Sequence, residues 1–136
     1  MAVAQNLQSI TLTADASIGI YTGVPGNPGS PQPHGGKQYH FVKATGKWQA
    51  GLSTVPATDA VVGVLQNKPQ GVDHAATIAI AGVTPVIAGA NFASGTKVAS
   101  NASGQAVAYT GTGDQLAGIA LDAGTTGNLV SVLLKL

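Results

Sequence analysis

The chain has 136 residues, which is enough for one domain with a core of its own. Only 8% of them are charged, Glu and Arg are absent, and the formal net charge is +1. Lysines without any arginine offer no clustered basic patch for phosphate, so the composition argues against a nucleic-acid partner. A surface with so little charge favours a protein that works docked in an assembly. An ordinary β domain of small residues is the alternative.

Residues 1–15 predict an N-terminal arm. Residues 9–14, SITLTA, alternate apolar and polar as an edge strand does. The residues before them, MAVAQNLQ, are expected to be disordered until something binds them. They form no signal peptide, and no apolar stretch approaches the roughly 18–20 residues that span a bilayer. We therefore expect a soluble protein that is made in a cytoplasm, without a membrane partner.

Residues 16–37 predict a loop insertion, because four of the seven prolines fall between residues 22 and 37. Three Gly-x-Pro triplets have the spacing of collagen, in which glycine fits a crowded three-fold axis. Three triplets cannot hold a triple helix alone, so an exposed polyproline-like loop is the first interpretation. A loop near the axis of a trimer is the second. The triplet residues are Gly23, Pro25, Gly26, Pro28, Gly29 and Pro31.

Residues 38–136 predict a β core, because short apolar runs alternate with segments rich in turn formers. The runs are QYHFVKA, AVVGVLQ, TIAIAG, TPVIAG, QAVAYT, QLAGIAL and NLVSVLLKL. No stretch has the 3.6-residue periodicity of a helix. The predicted fold is all-β, a small barrel-like or sandwich-like domain of short antiparallel strands.

Two segments of this core share one order of parts, which indicates an internal two-fold repeat. Asp59 precedes Gly63 by the same spacing as Asp114 precedes Gly118, and each glycine interrupts an apolar strand. Chance similarity between strands rich in Gly and Ala is the alternative.

No pattern of catalytic or metal-binding residues is present. The aspartates fall at predicted turns and strand edges, where turn and cap roles explain them. His34, His40 and His74 lack ligand spacing, so solvated imidazoles are expected, with a three-histidine site on a trimer axis as the alternative. Trp48 and Tyr109 either stack on a sugar or lie in the core, and the core is favoured. We predict no enzyme, cofactor, metal or small-molecule substrate. The absence of Cys excludes disulfides and thiolate sites.

An ordered series of short motifs resembles the small capsid cement (decoration) proteins of tailed bacteriophages. It comprises FVK at residues 41–43, GVLQNKP at 63–69, an IAG segment, GIAL at 118–121 and a closing VSVLL. The resemblance covers residues 38–136, and residues 22–37 depart from it. It implies a homotrimer on the outside of an expanded icosahedral head, made in the host cytoplasm. That trimer would bind the major capsid protein and clamp neighbouring subunits.

In that setting the turn NKPQG needs no chemistry. Pro69 would fix φ, Asn67 would bond its own backbone, and Gly71 would supply the exit of a hairpin.

The arm is the predicted capsid contact, and it could add a strand to the edge of a capsid sheet. Leu7, Ile10 and Leu12 would be its apolar anchors. The full set is Ala2, Val3, Gln5, Asn6, Leu7, Ile10 and Leu12. A carbohydrate-binding β module on the virion surface or tail is the alternative function, and a fibre segment without capsid affinity is another.

Overall fold

The computed structural model describes residues 2–19 and 37–136, which form nine β-strands. The strands are β1 (Gln5–Ala14), β2 (Phe41–Gly46), β3 (Gln49–Leu52), β4 (Val61–Leu65), β5 (Ala75–Ile87), β6 (Lys97–Ser100), β7 (Ala106–Ala108), β8 (Leu116–Ala120) and β9 (Leu129–Leu134). A helix long and apolar enough to cross a membrane does not occur in these two ranges. His34 and the Gly-x-Pro triplets lie outside the described residues. The all-β prediction is confirmed.

The first five strands pair in a closed ring. β1 pairs in parallel with β3 at Thr13 and Gln49, and it pairs antiparallel with β5 along most of its length. β3 pairs with β2, β2 with β4, and β4 with β5, all antiparallel. Following these pairings from β1 therefore leads back to β1.

A second ring begins where the first ends. The later part of β5 pairs with β9, which continues through β8 and β6 to β7. Ala88, the first residue after β5, forms a parallel bridge with Ala106 of β7, and this bridge closes the second ring. The nine strands form one sheet in which β5 belongs to both rings.

The two rings repeat one another in register, which confirms the predicted internal repeat. Val42 faces Gly63 between β2 and β4, and Val98 faces Gly118 between β6 and β8, with a register shift after each pair. A Cβ on Gly63 would clash with the Ala79 carbonyl oxygen, and one on Gly118 would clash with that of Leu133. Glycine interrupts both apolar strands because the neighbouring strand passes too close for a side chain.

The largest difference in length between the halves lies in one connection. The Asp15 amide donates to the Ala50 carbonyl in the first half, and the Gly89 amide donates to the Ala106 carbonyl in the second. The next pair of equivalent bonds follows along the chain. The His40 amide donates to the Lys37 carbonyl in the first half, and the Thr96 amide donates to the Ala93 carbonyl in the second. The proline-rich part of the sequence thus falls in a connection that the second half completes within a few residues.

Two clusters of small and β-branched side chains form the core. The cluster belonging to the first ring includes Leu12, Val42, Leu65 and Ile78. A second cluster extends across the later strands, and its largest member is Phe41. Neither contains Trp or Tyr, as expected from a composition that is only 4% aromatic.

One predicted strand break was wrong. TIAIAG and TPVIAG form the single strand β5, which passes through Gly82 at a φ of 97°. A Cβ at Gly82 would clash with the Asn6 carbonyl oxygen, so this glycine lets β1 lie close against an unbroken β5. Gly82 looked like the end of a strand in the sequence, but in the structure it marks the place where two strands come close together.

The expected disorder at the N-terminus was also wrong for part of MAVAQNLQ. Gln5 and Gln8 pair with Val83 and Ala81 of β5, and the strand between them bulges. The Val3 amide donates to the Ser131 hydroxyl oxygen at 2.8 Å, which holds the preceding residues against β9. The segment from Gln5 onward therefore has partners within its own chain, because β5 extends far enough to pair with it.

Candidate docking surfaces

The predicted contact residues on β1 divide into buried and exposed groups. Leu12 is 8% exposed and lies in the core of the first ring, and Leu7 packs against the second cluster. Leu12 is therefore a core residue and not an exposed docking anchor, whereas Leu7 is only partly buried. Ile10 and Val3 are 38% and 42% exposed and remain available to a partner. Gln5 and Asn6 are exposed as well, and Ala2 is partly buried.

The prediction that Trp48 lies in the core was wrong. It stands at the turn between β2 and β3 with 71% of its surface exposed, and its φ is 56°. Its carbonyl oxygen accepts the Thr13 amide at 2.7 Å and the Thr13 hydroxyl at 3.1 Å. The turn is thus fixed to β1, whereas the indole projects away from the body.

The second half shows what the fold requires at this position. Ala44 faces Ala50 across the β2–β3 turn, and Ser100 faces Ala106 across the β6–β7 turn. The two turns have equal length, so Trp48 corresponds to Gly104, whose φ is 71°. Both positions need the left-handed backbone that glycine adopts without strain. The sequence analysis considered Trp48 only as a core residue or a sugar contact, because residue type alone does not show that it lies on a turn with a left-handed φ.

Tyr109 lies in a different half of the molecule from Trp48. It follows β7 in the second half, is partly buried, and donates its amide to the Lys97 carbonyl. The two aromatic residues proposed as a sugar platform therefore belong to different halves of the molecule.

A shallow depression of about 430 Å³ lies beside the β2–β3 hairpin. Its one ion pair joins Lys43 Nζ to Asp59 Oδ2 at 2.8 Å. The same Asp59 oxygen accepts the amides of Thr54 and Val55, and the Lys43 bond followed by these amide bonds lowers the Asp59 pKa. All three bonds end on Oδ2, so this oxygen holds the turn together and orients Lys43. The lining residues are Lys43, Ala44, Thr45, Thr58, Asp59, Ala60 and Val62.

The histidines form no ligand set in the part of the chain that is described. His40 is buried, its Nδ1 lies 3.1 Å from the Gln38 carbonyl oxygen, and burial lowers its pKa. His74 is exposed. Across residues 2–19 and 37–136, no three His, Cys, Asp or Glu side chains gather as they would around a metal.

The turn NKPQG carries a structural asparagine. Asn67 Nδ2 donates to the Ala75 carbonyl at 2.9 Å, and its Oδ1 accepts the Thr77 amide at 2.9 Å. Asn67 therefore bonds β5 and not its own backbone, which corrects the prediction. The Asn67 side chain thus makes the two bonds that the backbone of a paired strand residue would make. Pro69, two residues later, is buried.

The nine-stranded fold has a counterpart on the head of a phage. The chain is similar to the crystal structure of the head fiber gp8.5 N base in bacteriophage phi29, with a TM-score of 0.64. The two are 16% identical over 95% of this chain and 94% of that chain, a likeness that shows the fold. No curated protein matches the sequence.

The sequence itself defines the family. The model of the family described as phage cement protein matches residues 35–136. The chain therefore belongs to the phage cement protein family, and it is a structural protein associated with the phage capsid. The resemblance drawn from the motif series is confirmed.

Proposed function

We propose that the protein docks on the outer surface of an expanded icosahedral phage head and clamps neighbouring subunits of the major capsid protein. The family match over residues 35–136 is the observation that carries this proposal. The protein would act as a homotrimer, be made in the host cytoplasm and perform no catalysis.

The body of the molecule suits a clamp. β5 belongs to both rings, so the rings cannot separate without breaking its pairing with one set of strands. Short turns with bonded side chains, such as those of Asp59 and Asn67, restrict the connections. A partner that binds only the expanded shell stabilises that shell by mass action, and many copies multiply a modest individual affinity.

Sedimentation with heads tests the proposal. Purified protein is mixed with decoration-free heads of the phage that encodes it, both expanded and unexpanded, and the bound copies are counted. We expect saturable binding to expanded heads alone, in multiples of three per site, and a higher temperature of head disruption. Equal binding to both forms, or binding to neither, contradicts the proposal.

A carbohydrate-binding role on the virion surface is the second candidate, and the exposed indole of Trp48 is the observation that favours it. Glycan-array binding that depends on Trp48, together with no affinity for heads, would select this candidate instead.

A further inference from the structure

We propose that Trp48 is the docking anchor of the first ring and that it inserts into an apolar pocket on the capsid shell protein. This inference rests on the proposed function and deepens it by naming the residue that makes the contact. It also moves the centre of the contact from the N-terminal arm to the β2–β3 turn.

The residue choice at position 48 is not explained by folding. A left-handed φ strains any residue with a Cβ, and Gly, Asn and Asp relieve that strain most readily. The equivalent turn uses Gly104 at this point, where a Cβ would also clash with Leu52, so the two positions compare in backbone conformation and not in the space around them. Trp48 adopts a left-handed φ of 56° with the strain that a Cβ adds, yet 71% of its surface is exposed and adds no burial to its own chain. A large aromatic side chain in this place suits a contact with another molecule.

The geometry of the turn prepares the indole for such a contact. Two hydrogen bonds from Thr13 hold the Trp48 carbonyl, so the backbone beneath the side chain is fixed before binding. A preorganised anchor loses less conformational freedom on association. Trp is also among the residues most enriched at interface positions whose truncation is costly.

Apolar side chains on the same ring extend the contact. Ile10 alternates onto the face of β1 that carries Leu12 and Ala14, and it is 38% exposed where they are buried. Val62 and Ile80 are only partly buried against the same core cluster. The first ring therefore has, in addition to Trp48, one position on the core-facing side of β1 that is left exposed, Ile10.

Some polar groups of the first ring are already bonded within the chain. A saccharide site needs hydrogen-bonding side chains that are free to meet hydroxyl groups. Here the Thr13 hydroxyl is bonded to Trp48, Asp15 Oδ1 accepts from Ser17, and Asp59 is paired with Lys43. An apolar pocket with one acceptor for the indole N–H, and a polar rim that meets the exposed Lys47, fits this turn.

Replacing Trp48 with glycine separates docking from folding. Trp48→Gly keeps the backbone conformation and removes only the side chain, so the melting temperature should not fall. We expect affinity for expanded heads to drop by at least about 30-fold, the loss that defines a dominant interface residue. Leu121→Ala is the matched control, because Leu121 is 48% exposed on the second half and should bind like the wild type.

Unchanged binding by Trp48→Gly overturns the inference, and so does an equal loss in Leu121→Ala. If the wild-type protein itself fails to bind heads, the proposed function has failed, which is a different result. Trp48→Phe provides a second variant and should retain part of the affinity, because an aromatic ring still fills the pocket.

Fluorescence gives an independent reading, because Trp48 is the only tryptophan of the chain. Its emission in a head complex is isolated by subtracting a sample of equal composition that contains Trp48→Gly. We expect a blue shift and protection from acrylamide on docking. An indole that stays as accessible as in the free protein overturns the inference. Displacement from heads by free saccharides would do the same and favour a sugar.

Discussion

Asp59 and Asp114 occupy equivalent positions in the two rings, and each accepts backbone amides from the turn before its strand. Asp59 binds the amides of Thr54 and Val55, and Asp114 binds those of Thr110 and Gly111. Only Asp59 also binds a lysine, because Ala99 stands where the first half has Lys43. The repeated aspartates are thus turn residues, and one of them has gained an ion pair.

Asp59→Asn should lower the free energy of unfolding more than Asp114→Asn does, because it also leaves Lys43 without its partner. Folding lowers the Asp59 pKa from 3.8, so this stabilisation is present above that value and is lost as pH falls through the folded-state pKa. Urea denaturation of both variants between pH 3 and pH 7 measures it. Identical profiles for Asp59→Asn and the wild type would contradict the assignment.

His40 should make the fold sensitive to mild acid. Burial is the main cause that lowers its pKa from 6.5, the nearby Lys37 charge adds to it, and the Gln38 carbonyl opposes it. As pH falls below 6.5, His40 becomes protonated in the unfolded chain before it does so in the folded chain. The free energy of unfolding therefore falls with pH, by at most about 1.4 kcal/mol per unit.

Denaturation of His40→Gln between pH 5 and pH 8 tests this directly, because the variant should lose that part of the slope. His74→Gln is the control at an exposed histidine. If the free energy of unfolding of His40→Gln depends on pH as strongly as that of the wild type, a group other than His40 causes the acid sensitivity.

Gly63→Ala and Gly118→Ala should each destabilise the protein by about 1–3 kcal/mol, because the new methyl group meets a carbonyl oxygen of the neighbouring strand. Gly113→Ala is a control with a different mechanism, since its Cβ would meet nothing and only its φ of 73° is unfavourable. Thermal melts compare the three. Wild-type stability in Gly63→Ala would disprove the close approach.

Removing residues 2–4 should leave the fold intact, because only the bond from the Val3 amide to Ser131 is lost. Removing residues 2–8 should lower stability, since it takes away paired positions of β1 and the packing of Leu7. Circular dichroism melts measure the difference. Sedimentation of the shorter deletion with heads then tests the arm without disturbing the body, and full binding would remove residues 2–4 from the contact.

Leu12→Ala should cost about 2–5 kcal/mol, the range for a truncated core leucine. Ile10→Ala removes a similar side chain from the exposed position on the same face, and it should cost far less stability. If the proposed docking face is correct, head binding should show the reverse order once both variants are folded. Equal losses of stability would place Ile10 in the core.

The sequence predicted the fold best at positions where the local backbone geometry restricts which residue can occur. The paired glycines at 63 and 118 and the paired aspartates predicted the repeat, because both depend on local geometry. Alternation located β1, but it could not reveal that β5 would supply a partner for Gln5. A pairing between residues so far apart in the chain leaves no local pattern.

The candidate site was predicted less well for the same reason. Leu7, Ile10 and Leu12 look alike in a strand pattern, and only the closed ring decides which of them is covered. Trp48 looks like a core residue by its size. It is exposed because it lies on a tight turn. Comparison with Gly104 shows that the backbone at this position takes a left-handed φ, which is unusual for tryptophan.

The sharing of β5 also orders events during synthesis. All five strands of the first ring have been made once residue 87 has left the ribosome, whereas the second ring needs β9, which ends at Leu134. Until then the later part of β5 presents unpaired amides and carbonyls, and such an edge readily pairs with another chain. Pairing with β9 is therefore the step that covers this edge of β5.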